Sequence, residues 1–260
     1  MIDCCLKRKA KHRLLNRRDL LRLMGTAGFA AMIGCRHRRR RPLETPSSAD
    51  MPPSAATAGE KPVCVVRPAQ TEGPYFIDEK LNRSDIRSDP SDHSTKLGLP
   101  LRLAFHVSRI DGRSCSPING AVVDVWHCDA LGVYSDVRDP SFATKGQKFL
   151  RGYQTTDTNG VAEFLTIYPG WYAGRAVHIH FKIRTSPIAG RSYEFTSQLY
   201  FDESVTDEVH AQAPYASKGR RSTPNDKDSL FREGGKQLMP VLTKNTQGYA
   251  TKFEIALQKV

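Results

Sequence analysis

The fold and the chemistry of this chain are both indicated by the stretch Tyr172-Ala173-Gly174-Arg175-Ala176-Val177-His178-Ile179-His180. Residues 176–183 are rich in β-branched and aromatic side chains and contain no Gly or Pro, so they are predicted to form a β-strand. Successive side chains of a strand point to opposite faces, and His178 and His180 therefore share one face. Two such imidazoles can bind one metal ion, although a pair of ordinary sheet histidines fits the same pattern.

Outward from this strand, the pattern of short apolar runs and turns predicts β-structure throughout the domain. The turn sequences Asp111-Gly112 and Asp157-Thr158-Asn159-Gly160 predict hairpins, and the second would pair residues 153–156 with residues 161–164. Short strands with regular turns, without a long amphipathic helix or an internal repeat, predict a sandwich or a barrel. The predicted strands are 101–110, 121–127, 149–156, 161–167, 177–184, 194–201 and about 251–257.

Two tyrosines occur in loops beside the predicted strands. Tyr172 ends the turn 168–172 just before the histidine strand, and Tyr134 lies in the loop after the strand 121–127. Two phenolates and two imidazoles form a hard, anionic donor set that favours ferric iron over zinc or copper(I). Phenol titrates near pH 10, so only a strongly Lewis-acidic metal would keep it ionised at neutral pH. Each tyrosine alone also fits a packed aromatic residue with a hydrogen-bonded hydroxyl.

The order of the motifs resembles that of the intradiol ring-cleavage dioxygenases, the group of protocatechuate and catechol dioxygenases. The most specific motif is the Arg-x-x-His-x-His element behind a Pro-Gly-x-Tyr turn, and the similarity spans most of residues 64–233. The other matching motifs are Thr71-Glu72-Gly73-Pro74-Tyr75-Phe76, Gly120-Ala121-Val122-Val123-Asp124-Val125-Trp126, Gly132-Val133-Tyr134, Arg151-Gly152, Thr156-Asp157 and Ser197-Gln198-Leu199-Tyr200-Phe201.

The resemblance implies an all-β fold, a mixed β-sandwich of the intradiol dioxygenase (transthyretin-like) type with long loops, over residues 61–260. It implies non-haem iron(III) as the cofactor. It also makes Arg175 and Gln198 side chains of the pocket around the metal. The metal ligands that it implies are Tyr134, Tyr172, His178 and His180.

The implied reaction takes a small aromatic diol and O2. Both oxygen atoms are inserted, and a catechol-type ring opens between its two hydroxyl-bearing carbons to give a muconate-type diacid. In this interpretation Tyr172 leaves the iron and acts as base for the substrate proton, and Arg175 stabilises developing negative charge.

Two other classes of protein share parts of the pattern. One is an exported β-sandwich binding module that has kept the fold and lost catalysis, although all four ligand types are present here. The other is a zinc or cupin-like enzyme, but residues 181–185 lack the carboxylate that cupins usually carry after the histidines. We interpret His106, His127 and His210 as structural or surface residues, and the polar segment 206–233 as a loop beside the site.

The net charge of +12 is concentrated at one end of the chain. Residues 1–42 hold 13 Lys and Arg against 2 acids, a net charge of +11, which leaves +1 for residues 43–260. A nearly neutral domain predicts no nucleic-acid surface. Three cysteines, Cys64, Cys115 and Cys128, fall in the domain and allow at most one disulfide, whose partners the spacing leaves open.

The basic leader resembles a bacterial twin-arginine signal, because Arg17-Arg18 precedes an apolar run, 23–34, that is too short to span a membrane. Met32-Ile33-Gly34-Cys35 resembles a lipobox, in which Cys35 would be lipidated. We interpret residues 1–35 as a twin-arginine signal peptide and residues 36–60 as a disordered tether; the alternative is a basic amphipathic helix. We therefore expect an exported periplasmic or cell-envelope protein that meets the export machinery and touches the membrane only through its signal or lipid anchor.

Overall fold

A long central strand, β1 (Pro100–Asp111), organises the first of two sheets. One edge of β1 pairs in parallel with β11 (Tyr249–Leu257). Its other edge pairs antiparallel with β7 (Val161–Ile167) over its first half and with β2 (Ser114–Pro117) over its second half. The short strand β10 (Thr243–Lys244) extends the sheet beyond β11. The computed structural model describes residues 64–186 and 192–258, so the predicted signal peptide, tether and lipidation site lie outside the described residues.

The second sheet has four antiparallel strands, and it contains the histidine strand. Its order is β6 (Arg151–Thr155), β3 (Val122–Trp126), β8 (His178–Arg184) and β9 (Glu194–Tyr200). A separate ribbon is formed by β4 (Arg138–Asp139) and β5 (Phe142–Ala143). The two sheets confirm the predicted all-β, mixed sandwich. All seven predicted strands are present; β7 has the predicted ends, and the other six differ by one or two residues at one or both ends.

The core between the sheets is built by the alternation of side chains along β8. Ile179 and Phe181 point inward and are fully buried. The Phe181 ring lies 5.0 Å from the ring of Phe105 on β1 and 5.5 Å from that of Phe253 on β11, centroid to centroid. Because neighbouring residues face the other way, the histidines of β8 are directed to the outer face of the second sheet.

One of the two predicted hairpins is wrong in its pairing. The Asp111-Gly112 turn joins β1 to β2 as predicted, but the turn 157–160 connects β6 and β7, which belong to different sheets. Thr156 donates its N–H to the Ala121 carbonyl beside β3 (2.8 Å), whereas Val161 is paired with His106 of β1. Residues 157–160 therefore form a turn as predicted, but the strands on either side of it pair with different sheets and not with each other.

Short helices occupy most of the segment after β9. They are α1 (Glu203–His210), α2 (Ser229–Arg232) and 3-10 turns at Tyr215–Lys218, Asn225–Lys227 and Gly235–Leu238. The interpretation of residues 206–233 as a loop is thus wrong in part, because much of this segment is helical. Asp202 and Asp228 stabilise the two α-helices by capping their N-termini. None of the helices in residues 64–186 and 192–258 is long and apolar enough to cross a membrane.

A disulfide joins Cys64 to Cys115 on β2, and Cys128 is a buried free thiol. The bond ties Cys64 to the edge of the first sheet and closes a loop with a sequence separation of 51 residues.

We expect Cys115→Ser to lower the free energy of unfolding by about 2–4 kcal/mol, because the open loop gains conformational entropy in the unfolded chain. Urea denaturation of the variant and of oxidised wild-type protein measures this difference. Reduced wild-type protein is the control and should unfold with the variant. Equal stability of the variant and the oxidised wild type would contradict the expectation.

Candidate metal centre

The outer face of the second sheet carries a row of functional side chains at one cross-strand level. Trp126 on β3 is paired with His180 on β8, and His180 is paired with Gln198 on β9. One level along, His178 is paired with Tyr200. The His-x-His spacing therefore places both imidazoles on this face, as predicted.

Four predicted ligands converge around one atom, the Nε2 of His178. The hydroxyl oxygen of Tyr172 lies 3.2 Å from it, that of Tyr134 lies 3.5 Å from it, and Nε2 of His180 lies 3.1 Å from it. Tyr134 and both histidines are buried, and Tyr172 is half-buried in the turn before β8. The structure thus brings together residues that are up to 46 positions apart in the sequence.

Hydrogen bonding indicates what this cluster is suited to hold. Nδ1 of His178 lies 2.6 Å from the Ala176 carbonyl, which can only accept, so Nδ1 carries the proton and Nε2 offers a lone pair. The hydroxyls of Tyr134 and Tyr172 and Nε2 of His180 all lie within 3.5 Å of the nitrogen that carries this single lone pair. A cation at the centre would accept lone pairs from all four groups at once, so the donor set fits a metal ion, and two phenols with two imidazoles suit ferric iron.

Tyrosines are required to complete this donor set. Across residues 64–186 and 192–258, no three His, Cys, Asp or Glu side chains are grouped so that they could hold a metal ion. A cupin-like centre, which adds a carboxylate to the histidines, therefore has no counterpart in the described part of the chain.

Burial controls the protonation of all four ligands. Burial, reinforced by the charge of Arg175, lowers the pKa of His178 to about 3 and depresses the pKa of His180 well below its ordinary value, so both imidazoles are neutral and able to coordinate. Burial raises the pKa of the Tyr134 and Tyr172 phenols. Only a bound cation would release their protons at neutral pH.

Arg175 and Gln198, the two predicted pocket residues, are in direct contact. Arg175 Nη2 donates to Gln198 Oε1 (2.6 Å) and to the Tyr200 hydroxyl (3.3 Å). Gln198 Nε2 in turn donates to the Thr71 carbonyl (3.1 Å), so the N-terminal segment of the domain takes part in the same network. Arg175 is also ion-paired with Asp228 (2.9 Å), and because Asp228 is buried and Arg175 is partly buried, this is not a surface salt bridge.

Aromatic residues that the sequence left without a role enclose the ligands. Trp126 stacks on the His180 ring at 5.0 Å with an interplanar angle of 4°. Tyr75 packs against Tyr134 at 4.5 Å and donates its hydroxyl proton to Asp139 (2.9 Å). Both aromatic residues stand in motifs of the resemblance, which was the only signal for them.

The N-terminal segment approaches His180 closely at Gly73. Gly73 has φ +73°, and a Cβ at this position would come within 3.2 Å of the His180 ring. Glycine is therefore favoured by both the left-handed backbone and the close approach.

His127 is a structural histidine, as interpreted from the sequence. It is fully buried, and its ring nitrogens contact the Thr166 hydroxyl (2.6 Å) and the Cys128 carbonyl (2.8 Å). Burial lowers the pKa of His127 from 6.5 to about 4.

This shift predicts a pH-dependent contribution to stability. Between these two pKa values the unfolded chain binds a proton that the folded protein excludes, so stability falls as the pH falls through this window. We expect His127 to contribute a loss of about 2 kcal/mol in the free energy of unfolding between about pH 7.5 and about pH 5. Urea denaturation at both values should show a smaller pH dependence for His127→Gln than for the wild type. If the stability of His127→Gln depended on pH as strongly as that of the wild type, His127 would not be the source of this loss.

Comparison with known proteins places this chain in a defined class. A family model described as "Dioxygenase" matches residues 71–221. The protocatechuate 3,4-dioxygenase beta chain of Burkholderia cepacia is 30% identical over 159 residues, which cover 56% of this chain and 66% of that protein. A chlorocatechol 1,2-dioxygenase of Pseudomonas sp. (strain P51) and a catechol 1,2-dioxygenase of Acinetobacter lwoffii are 29% and 28% identical, and the chain spans from 40% to 66% of the length of these three proteins.

Solved structures with a similar fold include proteins described as dioxygenases. The intradiol ring-cleavage dioxygenase from Tetranychus urticae is 31% identical with a TM-score of 0.65, over 75% of this chain and 95% of that chain. The dioxygenase domain of a carbohydrate-binding fusion protein from Streptomyces sp. SirexAA-E is 28% identical with a TM-score of 0.53, over 75% of this chain and 99% of that chain. The fold and site define a β-sandwich with a centre of two tyrosines and two histidines. The chain belongs to the intradiol ring-cleavage dioxygenase family.

Proposed function

We propose that this protein is a non-haem iron(III) dioxygenase that cleaves a catechol-type ring between its two hydroxyl-bearing carbons. Both atoms of O2 are inserted, and the product is a muconate-type diacid. The observation that carries this proposal is the convergence of two phenols and a second imidazole on the lone pair of His178. Iron(III), when bound, supplies the Lewis acidity that ionises the phenols and activates a coordinated catecholate toward O2.

In this proposal the ligands are Tyr134, Tyr172, His178 and His180, and they differ in how firmly they are held. Tyr134 is buried in the loop after β3 and packed against Tyr75. Tyr172 is half-buried, and the segment between it and β8 contains Gly174 with φ +86°. Tyr172 is therefore the ligand best placed to move aside and to accept a proton from a substrate hydroxyl.

The remaining pocket residues would stabilise charge on the substrate and hold neighbouring side chains in place. The permanently charged guanidinium of Arg175 would stabilise negative charge that develops on the substrate oxygens. Gln198 holds that guanidinium from β9 through its Oε1. Trp126, stacked on His180, keeps the imidazole ring in its plane and excludes water from one side.

The visible spectrum of the iron-reconstituted domain tests the proposal. We expect a burgundy tyrosinate-to-iron(III) band that shifts when catechol is added without oxygen, followed by formation of a muconate-type product when oxygen is admitted. A protein that stays colourless after reconstitution would contradict the proposal and favour the binding module of the same fold.

We also propose that the protein is exported in the folded state through the twin-arginine machinery and is held at the cell envelope by a lipid on Cys35. The sequence of the leader supports export, and the Cys64–Cys115 disulfide is typical of an oxidising compartment. Cell fractionation tests both steps. Replacement of Arg17 and Arg18 by lysine should retain the protein in the cytoplasm, and Cys35→Ala should release it from membranes. Unchanged fractions would contradict the respective step.

A further inference from the structure

Asp228 is a fully buried carboxylate that uses both of its oxygens. Its Oδ2 accepts hydrogen bonds from Arg175 Nε (2.9 Å) and from the backbone N–H of Ala176 (2.8 Å). Its Oδ1 caps α2 by accepting from the N–H groups of Leu230 (2.8 Å) and Phe231 (3.4 Å). The residue is 1% exposed. Asp228 therefore connects the helical segment after β9 to the segment that joins Tyr172 to β8.

The first consequence concerns the orientation of the Arg175 guanidinium. Asp228 takes its Nε–H, while Gln198 and Tyr200 take the two hydrogens on Nη2. These three contacts hold the planar group along one edge and leave Nη1 as the nitrogen that can face a substrate. Without Asp228, the guanidinium would be held only at Nη2 and could turn about that contact.

The second consequence concerns the ligand His178. Asp228 holds the N–H of Ala176, and the carbonyl of the same residue accepts the Nδ1–H of His178 (2.6 Å). This carbonyl sets the tautomer that leaves Nε2 free for a metal. The Asp228 carboxylate therefore holds both the Ala176 backbone, which orients the His178 ring, and the Arg175 guanidinium.

We propose that Asp228 is a positioning residue for ring cleavage, which holds Arg175 and the Ala176 backbone in the geometry that the reaction needs. This inference rests on the proposed function. Asp228 touches neither substrate nor metal in this role, and it acts through Arg175 and His178.

The chain offers a matched control for the alternative that Asp228 is only a helix cap. Asp202 caps α1 in the same manner, with its Oδ1 accepting from the N–H groups of Ser204 (2.8 Å) and Val205 (3.4 Å). None of the contacts found for Asp202 within the described residues involves the candidate site. Asp202→Asn therefore reproduces the chemical change at a cap without disturbing Arg175.

The experiment compares Asp228→Asn with Asp202→Asn. The amide of Asn offers one oxygen, so it cannot serve both the cap and the pair of donors at Arg175 and Ala176. In the iron-loaded protein we expect kcat to fall about 10–100-fold for Asp228→Asn, the size of effect typical of groups that orient a metal ligand. The control Asp202→Asn should leave kcat within about twofold, because asparagine caps a helix about as well as aspartate and Asp202 has no contact with Arg175. Asp228→Ser, which keeps a capping side chain but cannot hold Arg175, carries the test if the Asn variant does not fold.

Two further measurements separate positioning from general stability. In iron-free protein labelled with 15N, the Arg175 Nε–H signal should exchange slowly in the wild type and in Asp202→Asn, and it should be lost in Asp228→Asn. In a double-mutant cycle with Arg175→Gln, the double variant should be little slower than the worse single variant, because both changes act on one unit.

The proposal is overturned if Asp228→Asn and Asp228→Ser keep kcat near the wild-type value, or if the Arg175 Nε–H signal persists in them. It is also overturned if the effects of Asp228→Asn and Arg175→Gln on kcat are additive in free energy. Failure of the proposed function would look different, because the iron-loaded wild type would then not cleave catechol. The NMR comparison in iron-free protein would still decide whether Asp228 holds the guanidinium.

Discussion

Replacing His178 with alanine should abolish the tyrosinate-to-iron(III) band and the ring-cleavage activity together. His178 Nε2 is the atom around which the other three ligands are arranged, at 3.1 to 3.5 Å. We expect the affinity for iron to fall by more than about 100-fold, because loss of an orienting group alone reaches that size. Metal analysis and visible spectra of the reconstituted variant measure the effect.

The matched control is His106→Ala. His106 lies on β1 in the other sheet, where it is paired with Glu254 of β11, and it is half-buried. The His106 variant should keep the iron content, the band and the activity of the wild type. A His178 variant that kept a full complement of coloured iron would exclude the proposed ligand set, whereas loss of iron in both variants would point to a general folding defect.

Local sequence patterns predicted much of the fold because they report on the faces of strands. The alternation His178, Ile179, His180, Phe181 separates ligands from core side chains, and the structure has both histidines on the outer face and both apolar residues in the core. A period of two residues is sufficient for this inference, since it does not depend on which strands are neighbours.

Long-range partners could not be predicted in the same way. Residues flanking the Asp157-Gly160 turn have the pattern of a hairpin, but their partners at Ala121 and His106 belong to different sheets. Asp228 stands 53 residues after Arg175 and is surrounded by polar residues, so no periodicity or spacing indicates their contact. The partner of Cys115 was undecided for the same reason, because pairing depends on tertiary contacts and not on spacing.

The site depends on the core through β8, because each ligand on this strand has a core residue beside it. We therefore expect Phe181→Ala to lower the free energy of unfolding by about 3–5 kcal/mol. Phe181 is fully buried next to His180, and its ring packs against Phe105 and Phe253 of the opposite sheet and against Phe195 of its own sheet. The cavity left by alanine would lie at the junction of the two sheets, where neither sheet can move to fill it without breaking its own pairing.

Urea denaturation of the iron-free domain measures this loss, and Phe181→Leu is the matched control. Leucine refills most of the volume, so its cost should be roughly 1–2 kcal/mol. At temperatures where both variants are folded, iron reconstitution should restore the coloured band in each, because the ligands point to the other face of the strand. A loss below about 1 kcal/mol for Phe181→Ala would mean that the sheets can collapse onto the cavity. In that case the position of the histidines would not depend on the packing between the sheets.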